Sequence, residues 1–118
     1  MQYMLSIIAD ETKPMPPTPA LMKLMQGYKD FTEGLVQSGQ LRGAVRLHPS
    51  AMATTVRETN GKRAITDGPA ASGTEHLAGY FLVECAHLDE ALAIAGRIPG
   101  VQLGEAIEIR PVVPNPGG

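Results

Sequence analysis

The sequence predicts a single α+β domain in which two β-α-β halves, joined by a β-hairpin, form one sheet with both helices on the same face. Three observations predict it. Apolar stretches suited to strands alternate with two helical stripes in the order β-α-β, hairpin, β-α-β. Asn60-Gly61 separates two short runs, the first rich in β-branched residues, and both turn positions tolerate positive φ, the strongest short-range hairpin signal. At 118 residues, the chain is long enough to bury one core and too short for two.

Taken in order, residues 3–8 (Tyr-Met-Leu-Ser-Ile-Ile) are apolar on both faces of an extended chain, as a central strand requires. The Pro-rich stretch 10–17 can continue neither strand nor helix. Thr18 is expected to cap the first helix, with Pro19 at the first helical position. Its apolar stripe is Leu21, Leu24, Met25, Tyr28, Phe31 or Thr32, and Leu35, and Met22 and Met25 are expected in the core. Gly27 and Gly34 each weaken this helix by roughly 1 kcal/mol relative to Ala. Gly39 is its expected stop. Residues 41–47 read as the second strand, ending at His48-Pro49. Residues 54–59 and 62–66 are the hairpin arms, and a loop is expected over 67–78. Residues 80–84 are again apolar on both faces. Leu88, Ala91, Leu92, Ala95 and Ile98 make the second helical stripe, with His87 as a makeshift start, Asp89 and Glu90 favouring the helix dipole, and Pro99-Gly100 as the stop. Residues 106–110 alternate cleanly and form the closing strand. This order is that of a ferredoxin-like βαβ-βαβ sandwich with an inserted hairpin. The domain is expected over 1–113, with a frayed tail over 114–118.

Two helices cover one face of such a sheet, yet residues 3–8 and 80–83 are apolar on both. The uncovered face needs a partner, most economically an identical face, so a homodimer packed through its sheets is expected.

Composition narrows the function classes. Hydrophobic residues make up 43% and charged residues 19%, an ordinary globular balance. A net charge of −2 and an aromatic content of 4% offer neither a basic footprint nor stacking platforms, so nucleic acid is not an expected partner. No apolar run reaches the roughly 18 residues that span a bilayer, so no membrane association is expected. The single Cys85 excludes an internal disulfide framework and fits a reducing, cytoplasmic setting. No cofactor is expected: the chain has no P-loop, no dinucleotide fingerprint and no His/Cys pattern with metal-ligand spacing.

Several ordered blocks resemble one family. The run 47–57 (Leu-His-Pro-Ser-Ala-Met-Ala-Thr-Thr-Val-Arg), the turn Asp67-Gly68-Pro69, and the blocks Leu77-Ala78-Gly79-Tyr80-Phe81, Leu88-Asp89-Glu90-Ala91-Leu92 and Ile107-Glu108-Ile109-Arg110-Pro111-Val112 are similar to those of DGPF-domain proteins of the YCII-related family. The resemblance spans residues 1 to about 113. It implies a ferredoxin-like domain that dimerises as an α/β barrel, and some YCII-like relatives are lactone-processing or dehalogenating enzymes that use a His–Asp pair. The chain departs from the pattern after Asp67-Gly68-Pro69. Ala70 stands where the family has Phe, and Ser72 and Thr74 stand at positions usually acidic and basic, while Glu75 keeps the family's acidic residue.

Asp67 is the leading catalytic candidate, as a carboxylate at a strand end that can act as general base or ligand acceptor. Its plainer role is to cap the Gly68-Pro69 turn. His48, at the end of the second strand, is the candidate partner for an acid–base pair. Arg57, just upstream of the turn, can grip a ligand carboxylate or sit in an interface. Ser72, Glu75, His76 and Tyr80 complete the expected ligand-binding set for an unidentified small molecule. Two functions fit: an acid–base enzyme acting on a small organic substrate through Asp67, or a non-catalytic dimeric module that binds a ligand or regulates a partner.

Overall fold

The computed structural model describes residues 1–115, so most of the tail expected over 114–118 lies outside the described residues. The elements are β1 (Gln2–Asp10), α1 (Thr18–Gln37), β2 (Leu41–Arg46), β3 (Thr54–Thr59), β4 (Lys62–Asp67), β5 (Glu75–Glu84), α2 (Leu88–Ala95) and β6 (Ala106–Pro111). Short 3-10 turns occupy Ser50–Met52 and Pro99–Leu103. Four strands form one antiparallel sheet in the order β2-β5-β1-β6, and β3 pairs only with β4. In each half, the strands flanking a helix lie apart in the sheet with a strand of the other half between them. This split β-α-β arrangement is consistent with a ferredoxin-like α+β fold.

The two apolar strands occupy the middle positions because only there can both edges of the backbone be paired and both faces be shielded. On the helix side, β1 contributes Tyr3, Leu5 and Ile7, β5 contributes Phe81 and Val83, and Cys85 follows directly after β5. Leu35 of α1, Ala91, Ile94 and Ala95 of α2, and Ile98 complete the core. Phe31 meets Phe81 edge-on with ring centroids 5.0 Å apart, and Tyr28 stacks on the same ring at 6.5 Å. These aromatic contacts fasten the middle of α1 to β5.

Gly79 sets how closely β2 approaches β5. A Cβ there would lie 2.4 Å from the Val45 carbonyl oxygen, so any larger residue would push the edge strand away. At the far end of α1, the chain reverses through Gly39 at φ 77°, as the expected stop requires.

Several local expectations are corrected. Pro17 rather than Thr18 occupies the cap position of α1, Thr18 is already helical, and no side chain caps the end. The second helix stops at Ala95 rather than running through Ile98, which is extended and reaches the core from the following turn. Its His87 start is as expected, the ring accepting from the Glu90 N–H. The loop expected over 67–78 is shorter, because β5 begins at Glu75. Met22 and Met25 are 65% and 51% exposed rather than in the core. The least exposed stripe of α1 is the narrower 3.5-residue repeat of half-buried Leu21, Leu24, Tyr28 and Phe31 with buried Leu35, which leaves both methionines to one side.

The opposite face of the sheet carries no helix. Met4 and Leu82 pair across it, as do Tyr80 with both Ser6 and Val45, and Ile8 with Leu77. Val45 is 43% and Leu77 38% exposed. The β3–β4 hairpin projects from one end of the sheet. The radius of gyration is accordingly 16.5 Å, against about 13.5 Å for a compact chain of this length.

Candidate functional site

The residues with chemistry gather at one end of the sheet, where β1 and β2 finish, β5 begins and the hairpin departs. Asp10 closes β1, and its carboxylate accepts from the Thr12 backbone N–H at 2.9 Å and the Thr12 hydroxyl at 2.7 Å. Both bonds favour the charged form, the hydroxyl more strongly, and hold the Asp10 carboxyl below its ordinary range. Glu11 follows and crosses to the root of the hairpin. Its carboxylate accepts from the Ser50 hydroxyl and from the Ser50 N–H, the latter at 2.9 Å. These bonds, the hydroxyl first, hold the Glu11 carboxyl below its ordinary range, and His76 beside it adds in the same direction. The Glu11 N–H donates to the Thr74 carbonyl at 2.9 Å, so the same residue also fastens the loop before β5. Glu11 and Ser50 therefore join three segments, and neither was a candidate from sequence. Glu11 directly follows a central strand, which was the available signal. Ser50 lies 39 positions further on, and nothing local marks it as the partner.

The Asp67-Gly68-Pro69 turn is held from β3. Gly68 takes φ 102°, open to glycine and rarely to other residues. Its N–H donates to the Ala53 carbonyl at 2.7 Å, and its own carbonyl accepts from the Thr55 hydroxyl at 2.7 Å. Two residues on, the Arg57 guanidinium donates to the Ala70 carbonyl at 2.9 Å. Thr55 and Arg57, not Asp67, thus secure the turn, which corrects the expected capping role. The Asp67 carboxylate makes no hydrogen bond or ion pair with any described residue. Asp67 pairs with Thr54, and the two-residue period of a strand puts it on the same hairpin face as Ile65 and Val56.

The other expected site residues are dispersed around this end. His48 is exposed after β2, and no hydrogen bond joins it to Asp67. Ser72 is exposed in the loop. Glu75 and His76 are strand residues, opposite Asp10 and Ala9. His76 is half-buried, and its Nε2 lies 2.9 Å from the Gly73 carbonyl, so that nitrogen carries the proton. Tyr80 is half-buried on the helix-free face between Ser6 and Val45. Cys85 lies buried on the other face, where burial pushes its thiol up, away from the reactive thiolate. Among the described residues, no group of three or more His, Cys, Asp or Glu side chains is arranged to hold a metal ion. No helix of the described residues is long and apolar enough to cross a membrane.

A separate concavity lies away from this end of the sheet, a groove of about 740 Å³ between α1 and the Pro99–Leu103 turn. Leu24, Phe31, Leu35 and Pro99 give it an apolar floor, and Lys23 and Arg97 stand at its rim. None of the expected site residues lines it.

Comparison with known proteins agrees with the blocks of similarity. The family model for the YCII-related domain matches residues 1–115. A protein of Rhizobium meliloti (strain 1021), described as uncharacterised, is 37% identical over 91 residues, covering 76% of this chain and 73% of its own length. A match over nearly all of the chain, on a sheet and helix order that fits, places this protein in the YCII-related family.

Proposed function

We propose that the protein works as a homodimer, packed through the helix-free face of its sheet as a dimeric α/β barrel, and binds a small organic molecule near the hairpin root. The observation that carries this reading is that face. Met4, Ile8, Val45, Leu77, Tyr80 and Leu82, from β1, β2 and β5, lie on the side of the sheet that neither helix of the described residues covers. An apolar sheet surface of this kind marks an interaction site. An isologous two-fold contact would cover both copies at once.

The ligand groups follow from the geometry. The Asp67 carboxylate has all its acceptor capacity free, suited to a hydroxyl, amide or ammonium group. Arg57, on the other face of the hairpin, donates to the Ala70 carbonyl and acts on the site through the turn it holds. The tyrosine hydroxyl of Tyr80 adds a donor at the edge of an apolar floor. The segment 70–74, where family side chains are replaced by small ones, widens the approach and sets this protein's specificity. Binding without chemistry is the reading favoured, since no imidazole or guanidinium of the same protomer engages Asp67. The acid–base reading rests on that carboxylate being unpartnered, and it needs a second titratable group supplied by the other subunit. A single buried-thiol cysteine supports a reducing, cytoplasmic setting.

The test is backbone amide chemical-shift mapping with a set of small organic carboxylic acids and amines. Shifts clustered at Val45, Tyr80 and residues 67–72, and lost in Asp67→Ala or Arg57→Ala, are expected. Shifts confined to the groove beneath α1 would contradict the placement.

A further inference from the structure

We infer that the β3–β4 hairpin seats its Val56–Ile65 face on a second copy of this chain, so that Asp67 is enclosed by the partner rather than by its own protomer. This rests on the dimeric reading above and goes beyond it by assigning the hairpin a role in trans and making the Asp67 site a shared one.

Val56 and Ile65 pair directly across the hairpin and are 60% and 66% exposed. They are the only large aliphatic side chains of the hairpin, and they stand on the same face, which is an arrangement for packing rather than for solvation. Their own protomer does not cover them, because the hairpin projects beyond the sheet. The molecule measures 48 × 46 × 19 Å, a plate widened in its own plane. An arm in that plane overhangs whatever stacks on the plate.

The area needed by a dimer points to the same occupant. Four strands about 4.8 Å apart, each offering about six residues at 3.3 Å, present roughly 400 Å² in plan. A standard interface buries about 800 Å² per partner. The sheet face alone supplies about half, and the inward face of a two-stranded arm adds roughly 200 Å² on the same dimensions. Charge fits a copy better than a foreign partner. The arm face carries Glu58 and Arg63 3.8 Å apart, one of each sign, and the helix-free face carries Glu108 and Arg110 on β6. Patches of balanced sign meet their own two-fold image without net repulsion.

The register then fixes the consequence for the site. Asp67 lies two residues beyond Ile65 on the same strand face, so a surface that covers Ile65 closes over the Asp67 carboxylate as well. Arg57, on the opposite face, stays with its own protomer and holds the turn.

The experiment places p-benzoylphenylalanine at position 65 and irradiates an equimolar mixture of light and nitrogen-15-labelled full-length protein. Crosslinks of mixed mass, joining the hairpin to peptides of β1, β2 or β5, are expected. In parallel, Ile65→Ser and Val56→Ser, at positions too exposed to threaten the fold, are expected to weaken dimerisation at least about tenfold by sedimentation equilibrium. Crosslinks confined to one mass, or to peptides of another protein or of the hairpin itself, would overturn the inference. So would a dimer that dissociates in Leu82→Asp but is unaffected by Ile65→Ser, a result that leaves the dimeric reading standing. A wild-type chain that is monomeric throughout would remove both.

Discussion

Replacing Gly79 with Ala tests how β2 is held against β5, and the structure permits its magnitude to be worked out. The added methyl would lie 2.4 Å from the Val45 carbonyl oxygen and 3.2 Å from the Arg46 Cα. Both are backbone atoms of an edge strand and cannot rotate away as a side-chain end would. The oxygen must retreat to at least 3.0 Å, which parts the strands where Val45 pairs with Tyr80 and Arg46 with Gly79. Overpacking of this kind costs about 1–3 kcal/mol. One or two stretched ladder bonds add about 1 kcal/mol each. Relief of the strand penalty of glycine returns about 0.5–1 kcal/mol. The net expectation is a loss of about 2–3 kcal/mol. With a urea slope of about 1–3 kcal/mol/M, the midpoint falls by roughly 1–2 M at unchanged slope. The measurement needs one fixed protein concentration, because association adds to apparent stability. Gly34→Ala is the internal control. Its Cβ would meet nothing within 4 Å, so helix propensity alone acts and stability should rise by about 1 kcal/mol. A Gly79→Ala midpoint within error of wild type, or equal losses from both substitutions, would refute the reasoning.

Other expectations follow from the polar contacts. Burial and the neighbouring Glu105 carboxylate push Tyr28 up to about 12, so its phenolate absorbance should develop well above that of an exposed tyrosine. Because the folded value lies above the ordinary one, the associated stability is intact below pH 10, declines as pH rises through about 12, and is absent from Tyr28→Phe. Glu11 is shifted the other way: its contribution is present above pH 4.5 and is lost as pH falls through its lowered value, so amide exchange at Ser50 and Thr74 should quicken in acid and, at neutral pH, in Glu11→Gln. Arg57→Ala removes the bond to the Ala70 carbonyl and should speed exchange across residues 68–72 while costing about 1 kcal/mol or less of global stability. Asp67→Ala, with no bond to lose, should leave thermal stability within about 0.5 kcal/mol of wild type at a monomeric concentration.

The parts of this fold that were legible in the sequence are those where one residue's neighbours carry the signal. Residues 3–8 and 80–84 show apolar side chains on both faces, and only a central strand satisfies that. Asn60-Gly61 specifies its own turn through the left-handed conformation that both residues adopt, at φ 51° and 78°. What failed depended on distant partners. Ile98 continues the helical period, yet the chain leaves the helix after Ala95 so that the Pro99–Leu103 turn can place Gly100 against Tyr28, whose hydroxyl accepts the Gly100 N–H at 3.2 Å. Met25 fits the apolar period but falls beside the narrow stripe that actually meets β5. The candidate site was legible as a place and not as a set of contacts. The Asp67 turn was located, but Thr55, Arg57, Glu11 and Ser50, which hold it and its surroundings, act across many residues of sequence.

Sedimentation equilibrium of the wild-type chain beside Leu82→Asp tests most directly whether the helix-free sheet face is a dimer interface. Leu82 lies on that face opposite Met4, away from the core beneath the helices. The expected result is a wild-type mass of twice 12.5 kDa at micromolar concentration and a single 12.5 kDa species for the variant, with unchanged circular dichroism. A wild-type chain that sediments at 12.5 kDa, or a variant that stays dimeric, would contradict it.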